Sequence, residues 1–354
     1  MRIVRETAQT KTNEQRVSVE FLHTGSTLLN LAISGKGIDG GWPRGRIVNI
    51  VGDGSSGKTL LALELCAYVF YRMEGNKSQN FPDVKKVRII YDNVEMVMDF
   101  NLDQMYGKRF RQGIIWGKSI TVQEWGRKFA KEIEANKPGE LLLYVVDSLD
   151  ALSSQEGLDR FDKAVKNDKE EDGAYGTEKA KYLSQSFFDN ICSKMQGKDV
   201  TLVIISQIRQ RIGITYGKKY SRSGGKALDF YTHCVVWLYE QEKLKKTFHG
   251  DSRVYGIRVL AKIERNKVAK PYREAEIIFL FDYGVDNLGM SLDFFYGSKV
   301  QKLLWDGTEY SRQDLIRYIE EHNLQKELSK RVEINWNEIE EAIKVDRKPK
   351  FPIK

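Results

Sequence analysis

Residues 46–59 read RIVNIVGDGSSGKT, and this stretch decides the fold. RIVNIVG has the unbroken apolar character of a buried strand. LLALELCAYVFYRM, residues 60–73, follows with apolar residues at helical spacing. Between them GDGSSGKT fits G-x-x-x-x-G-K-[ST], a loop that cradles phosphate when a strand precedes it and a helix follows. Gly52 and Gly57 let successive backbone N–H groups turn inward. Lys58 carries a point charge for the terminal phosphates, and Thr59 offers a hydroxyl to Mg²⁺. The helix opening near Lys58 adds its positive end. The alternative, an ordinary glycine-rich turn, does not call for strand and helix on either side.

Working outward, VRIIYD (87–92), LLLYVVD (141–147) and TLVIIS (201–206) are further strand-length runs. Segments of helical character lie between them, including TVQEWGRKFAKEIEAN and AKYLSQSFFDNICSKM. The alternation predicts βαβ units around a mostly parallel sheet flanked by helices, an α/β fold. CVVWLYE, YGIRVLAKI and EAEIIFLF add later strands. The composition shifts near residue 286. Beyond it, EYSRQDLIRYIEEHNLQKELSKR and NWNEIEEAI read as short charged helices, the first capped near Ser311. The expected organisation is a strand-like arm over 1–24, a core over 25–286, and a small α-rich C-terminal domain over 287–354 with a frayed tail.

Asp147 ends its apolar run where an acid would support Mg²⁺ beside the phosphate loop; a plain helix cap is the other reading. Asp92 and Glu95, at and beyond the end of RIIYD, are both candidates for a general base. Gln207 ends TLVIIS, where an amide needs a partner; a satisfied structural Gln is the alternative. From Gln207 to Leu228 there are six basic residues (Arg209, Arg211, Lys218, Lys219, Arg222, Lys226) and no acid. Glycines and two tyrosines are interleaved, a composition suited to a polyanion with stackable bases.

The whole chain is compatible with this. Its 354 residues are 41% hydrophobic and 30% charged, enough to build a core. The net charge of +8 permits nucleic-acid binding without demonstrating it. No apolar run approaches membrane-spanning length, and MRIVRETAQTKTNEQR contains no secretory apolar region. Three widely spaced cysteines and four scattered histidines suggest neither a disulfide framework nor a zinc site, and a cytoplasmic setting is expected.

Taken in order, these segments resemble the RecA recombinase family. HTGSTLLNLAISG, GWPRGRIVNIVGDGSSGKT, EMVMD, VVDSLDAL, TLVIISQIRQRIGITYG with SGGKALDFYTHCVVWL, and ERNKVAKPYREAEIIFLFDYGVD are similar to the family's successive motifs over about residues 22–286. Trp305 to Ile343 resembles its small C-terminal domain. The resemblance implies a RecA-like P-loop NTPase core using ATP and Mg²⁺. Gly52, Asp53, Gly54, Ser55, Ser56, Gly57, Lys58 and Thr59 would bind phosphates, and Asp147 would support Mg²⁺. Glu95 would polarise the attacking water, Asp99 would touch adenine, and Gln207 would sense the γ-phosphate. Arg265 and Lys267 would reach a neighbouring subunit's ATP, with Phe230 at that interface. Ile212, Gly213, Gly224 and Gly225 would join the loop cations on DNA, and Tyr175 in the first loop would insert among bases. The chain departs from the family in three places. Its N-terminal arm is short. Asp92 lies three residues before Glu95 rather than two. Leu102 replaces the adenine-stacking aromatic, and Tyr106 is the candidate substitute ring. The short arm and long first loop suit a phage-encoded branch. The expected activity is DNA-dependent ATP hydrolysis by a filament on single-stranded DNA that pairs with homologous duplex DNA. A ring helicase and a non-hydrolysing DNA-binding paralogue are the alternatives.

Overall fold

Each strand-length apolar run becomes a strand. The computed structural model describes residues 19–73, 81–96, 100–168, 177–210, 220–222, 225–348 and 350–351. In chain order the strands are β1 Phe21–Leu22, β2 Trp42–Pro43, β3 Ile47–Gly52, β4 Lys86–Asn93, β5 Ile115–Gly117, β6 Glu140–Asp147 and β7 Val200–Gln210. They continue with β8 Tyr220–Arg222, β9 Cys234–Phe248, β10 Asp251–Asn266, β11 Glu274–Leu280, β12 Gly284–Val285, β13 Lys302–Trp305 and β14 Thr308–Ser311. The main sheet runs β12-β11-β10-β9-β3-β7-β6-β4-β5, with β8 added to β7. From β9 through β5 the neighbours along this path are parallel, and β10, β11 and β12 extend the sheet antiparallel.

Parallel strands need both faces covered, and the sequence supplies apolar residues at both parities. Val48, Ile50, Leu143, Val203 and Ile205 face the helix Lys58–Met73 and belong to one core cluster with Leu61, Leu65 and Val69. Ile47, Leu142, Tyr144, Leu202 and Ile204 face the other way, in a cluster with Trp125 and Phe129 of the helix Val122–Ala135. The segment expected as one helix over AKYLSQSFFDNICSKM contains a π turn at Leu183–Phe187. This turn lets Leu183, Phe187 and Phe188 all reach the core.

The C-terminal segment packs on the helix Thr27–Ser34. Leu303, Trp305, Leu315, Ile319, Leu328 and Val332 share the cluster that contains Leu28 and Leu31. Asp286 caps the helix Asn287–Tyr296 by accepting from the Gly289 N–H at 2.8 Å. Ser311 caps Arg312–Glu321 through the Asp314 N–H. The break expected after Arg331 is absent: Gln325–Ala342 is one helix. Leu328, Val332 and Trp336 form one i, i+4, i+8 stripe across that point, and the chain turns earlier, at Asn323 with φ 56°. Among the described residues no helix is long and apolar enough to cross a membrane.

Glu340 fastens that last helix to the loop between β10 and β11. Arg273 donates to it at 2.7 and 3.0 Å and Lys270 at 2.9 Å. The Arg273 hydrogen bonds hold its carboxyl at about 2, against 4.5 for a free Glu. A carboxyl lowered on folding stabilises the fold above its unfolded pKa and loses that contribution as pH falls. Glu340→Gln is therefore expected to destabilise the protein near neutral pH, with the difference from wild type shrinking between about 4.5 and 2. Urea denaturation across that range measures it, and a pH-independent difference would contradict the assignment.

Candidate nucleotide site and neighbouring loops

β3 delivers the phosphate loop at its C-terminal end, with β7 and β9 on either side of it. Gly57 has φ +83°, and a Cβ there would meet the Phe279 ring at 2.5 Å. Gly52 needs glycine for a different reason, since a Cβ would lie 2.2 Å from Ser56 Oγ. Ser56 donates to the Asp53 carbonyl at 2.9 Å, and Lys58 Nζ donates to the same oxygen at 2.6 Å. The Lys58 ammonium thus reaches across the curve of the loop. Burial lowers its pKa, opposed chiefly by the charges of Asp147 and Glu95.

Thr59 Oγ1 donates to Asp147 Oδ2 at 2.8 Å. Tyr91 donates to the same oxygen at 2.6 Å. Burial raises the Asp147 carboxyl, against these two hydrogen bonds. A hydroxyl and a carboxylate side by side at the mouth of a phosphate loop form the hard oxygen donor set that Mg²⁺ prefers, so the residues present fit that ion. Among the described residues no cluster of His, Cys, Asp and Glu suggests any other metal site.

The two candidate bases separate clearly. Asp92 is fully buried and accepts from the Ser119 N–H at 2.7 Å, Ser119 Oγ at 2.6 Å and Tyr144 OH at 2.9 Å. It ties β4 to its neighbours and does not line the cavity. Glu95 sits on a turn held to Asp147, whose carbonyl accepts from the Val94 and Glu95 N–H groups at 2.7 and 3.2 Å. Its carboxylate accepts from Ser148 Oγ at 2.6 Å and Gln207 Nε2 at 2.9 Å. Gln207 in turn donates its backbone N–H to Asp150 at 2.7 Å.

A cavity of about 520 Å³ is lined by Gly54 to Leu60, Glu95, Asp147 and Gln207. Its remaining wall was not anticipated from sequence: Phe100 and Phe281 supply rings, and Glu240, Lys243, Val254 and Ile257 of the β9–β10 hairpin overhang it. The one available signal was the length of the two strands, whose apolar cores continue into charged, alternating extensions. Tyr106, the candidate substitute ring, does not line this cavity: its hydroxyl donates to Glu64 at 3.1 Å and its ring packs on Phe110, while Leu102 is buried beside a different cavity. Tyr91, which supports Asp147, was also missed, because nothing local distinguishes it from a core tyrosine.

Phe230 and Lys267 come together, but away from this cavity. Lys267 Nζ donates to the Phe230 carbonyl at 2.5 Å and lies 5.6 Å from the centre of its ring, which is 65% exposed. Both line a second cavity of about 350 Å³ with Arg46 and Ile47, at the start of β3. Five residues of strand, about 16 Å, separate Ile47 from Gly52. Arg265, opposite Val235, is also toward that end.

Of the basic loop, Arg211, Ile212, Gly213, Lys218, Lys219 and Gly224 lie outside the described residues, as do Tyr175 and Asp99. The backbones of Arg209, Gly225 and Lys226 are placed in β7 and the helix Gly225–Tyr231. The loop's return is the strand β8, which pairs Ile208 with Arg222. Arg222, one of the loop cations expected on DNA, is not at the surface. Its side chain is turned inward and paired with Asp229 and Asn49, because a buried guanidinium requires acceptors.

Comparison with known proteins agrees with this geometry. The family profile described as the RecA N-terminal domain matches residues 5–87 and 96–286. The interruption falls on β4 and the turn carrying Asp92 and Glu95. Protein RecA of Nitratiruptor sp. is 31% identical over 347 residues, 94% of this chain and 88% of that protein. Protein RecA of Synechocystis sp. is 29% identical over 318 residues, covering 87% and 79%. Protein RecA of Synechococcus sp. is 31% identical over 318 residues, covering 87% and 74%. With the strand-loop-helix phosphate site at the centre of a mostly parallel sheet and a family match across most of its length, the chain belongs to the RecA family of recombinases.

Proposed function

We propose that the protein is a DNA-dependent ATPase that assembles as a helical filament on single-stranded DNA and catalyses pairing and strand exchange with homologous duplex DNA. The observation that carries this is the junction at the phosphate loop: Thr59 on Asp147, and Glu95 on Gln207, with the basic loop starting two residues later. In this reading the loop's backbone and Lys58 bind the ATP phosphates. Thr59 and Asp147 hold Mg²⁺, which when bound neutralises phosphate charge. Glu95 orients and deprotonates the attacking water. The Gln207 amide, now on Glu95, exchanges that partner for the γ-phosphate and moves the loop. Arg265 and Lys267 do not line the phosphate-loop cavity and lie toward the other end of β3, which suits a role toward the nucleotide of the next protomer, beside Phe230. Asp99 would contact adenine, and Arg209, Arg211, Lys218, Lys219 and Lys226 would neutralise DNA phosphates. Ile212, Gly213, Gly224, Gly225 and Tyr175 would contact bases and backbone. The cytoplasm or nucleoid is the compartment this activity requires. Electron microscopy with single-stranded DNA and a non-hydrolysable ATP analogue tests the assembly, since rings or monomers would exclude a filament.

Lys58→Ala is expected to abolish hydrolysis and ATP-dependent DNA pairing in a folded protein; unchanged turnover would remove the phosphate-loop assignment.

Glu95→Gln is expected to keep ATP and DNA binding and to lower turnover by a factor of about 10² to 10⁴. Asp92→Asn should instead cost stability, roughly 1–3 kcal/mol, because it disturbs a buried acceptor with three donors. Steady-state hydrolysis and denaturation of both variants decide the matter. Normal turnover in Glu95→Gln with a dead but stable Asp92→Asn would reverse the assignment.

The loop cations should make DNA affinity fall with salt, with a log–log slope of about −0.7 per phosphate neutralised. Replacing Arg209 and Arg211 together with Ala is expected to flatten that slope by about 1.4. Gln207→Ala should keep the slope and lose the ATP-induced gain in affinity. Titrations with and without nucleotide at several salt concentrations separate the two effects. An undiminished gain in Gln207→Ala would place the switch elsewhere.

A further inference from the structure

Arg222 ends β8, the strand that returns the basic loop to the sheet. Opposite it is Ile208, the residue after Gln207. The Arg222 side chain is only 6% exposed. It donates to Asn49 Oδ1 and to the Asp229 carboxylate. Asn49 is wholly buried on β3, three residues before Gly52. Its amide nitrogen donates to the Ile204 carbonyl at 2.7 Å and to Ser206 Oγ at 2.9 Å. Ser206 immediately precedes Gln207. Asp229 lies on the helix Gly225–Tyr231, beside the exposed Phe230.

A buried Asn in a strand is costly unless both ends of its amide are satisfied. β7 satisfies the nitrogen, and Arg222 satisfies the oxygen. A buried guanidinium is costly for the same reason, and the Asn49 and Asp229 acceptors compensate it. Each group therefore makes the other tolerable, and together they fasten β8 to the β3–β7 pair. Ser206 and Gln207 face opposite sides of the sheet. Displacing Ser206 on one face accordingly moves the backbone that presents the Gln207 amide to Glu95 on the other.

We propose that Arg222 is a positioning residue, a lock between the return of the basic loop and the buried Asn49 amide, which sets the register in which Gln207 meets the nucleotide site. The inference deepens the proposed link between nucleotide and loop and rests on it. In the seated arrangement the loop root is an antiparallel extension of β7. Movement of the helix carrying Asp229 and Phe230, or of Gln207, works against the same lock. The guanidinium fork is essential, because a lysine ammonium cannot bridge both acceptors in that plane.

Two variants test this. Arg222→Met keeps the stem and removes the donors; Arg222→Lys keeps the charge and removes the fork. In the DNA-free protein, amide exchange over 207–210 and 220–222 should quicken about 10-fold or more in both variants, with 47–51 unchanged. DNA affinity is then measured with and without a non-hydrolysable ATP analogue at several salt concentrations. Wild type should show a nucleotide-induced gain within the ~5- to 150-fold typical of coupled sites. Both variants should lose most of that gain while keeping the wild-type salt slope. A slope reduced by about 0.7 in Arg222→Met and restored in Arg222→Lys would make Arg222 an ordinary phosphate contact and overturn the lock. If Arg222→Met fails to fold, Arg222→Lys carries the same readouts. If wild type itself shows no nucleotide-induced gain, the coupling reading fails separately. The exchange experiment still decides the lock, since unchanged protection over 207–210 in the variants overturns it.

Discussion

The hydroxyl of Thr59 on the carboxylate of Asp147 is the contact on which the rest of the arrangement depends. It joins the start of the helix Lys58–Met73, which follows β3 and the phosphate loop, to the end of β6; β3 and β6 are not neighbours, because β7 lies between them. The parallel register pairs Gly52 with Gln207, so the residue between the two halves of the site is the glutamine that begins the exit toward the basic loop. Closing the contact thus places the Gln207 amide at the centre of the site without any further device. The Glu95 turn is held by the Asp147 carbonyl, and the cavity assembles around one backbone position.

Polar groups buried at this junction are expensive, and the structure meets that cost with short, saturated networks. Asp92 is occupied by Ser119 and Tyr144, Asp147 by Thr59 and Tyr91, and Asn49 by Arg222 and β7. These groups stand at the carboxyl ends of parallel strands or along them, where the sheet is covered on both faces and water cannot serve as partner. Three carboxylic acids within a few residues of one another in sequence or space therefore have separate tasks. Asp92 holds strands together, Asp147 faces the loop, and Glu95 faces the cavity.

The two ends of β3 also differ in kind. One carries the phosphate loop under the β9–β10 hairpin, and the other carries an exposed aromatic ring clasped by Lys267.

Much of this protein was legible in its sequence. GDGSSGKT, the apolar runs around it and Asp147 specify a phosphate loop on a parallel sheet, because those signals are local: backbone freedom, strand length and helix periodicity act within a few residues. The Ser311 cap was legible for the same reason. The choice between Asp92 and Glu95 as the acid facing the cavity was open from the residues themselves, and only the family resemblance pointed to Glu95. It depends on Ser119 and Tyr144, which come from other strands and loops. Nor could sequence reveal that Phe100 and Phe281 line the cavity in place of Tyr106, or that Tyr91 supports Asp147. Arg222 is the clearest instance. In sequence it is one cation among six in an acid-free loop. In the fold it is a buried partner of Asn49 and Asp229, because only the pairing of β8 with β7 and of β7 with β3 brings those three side chains to one point.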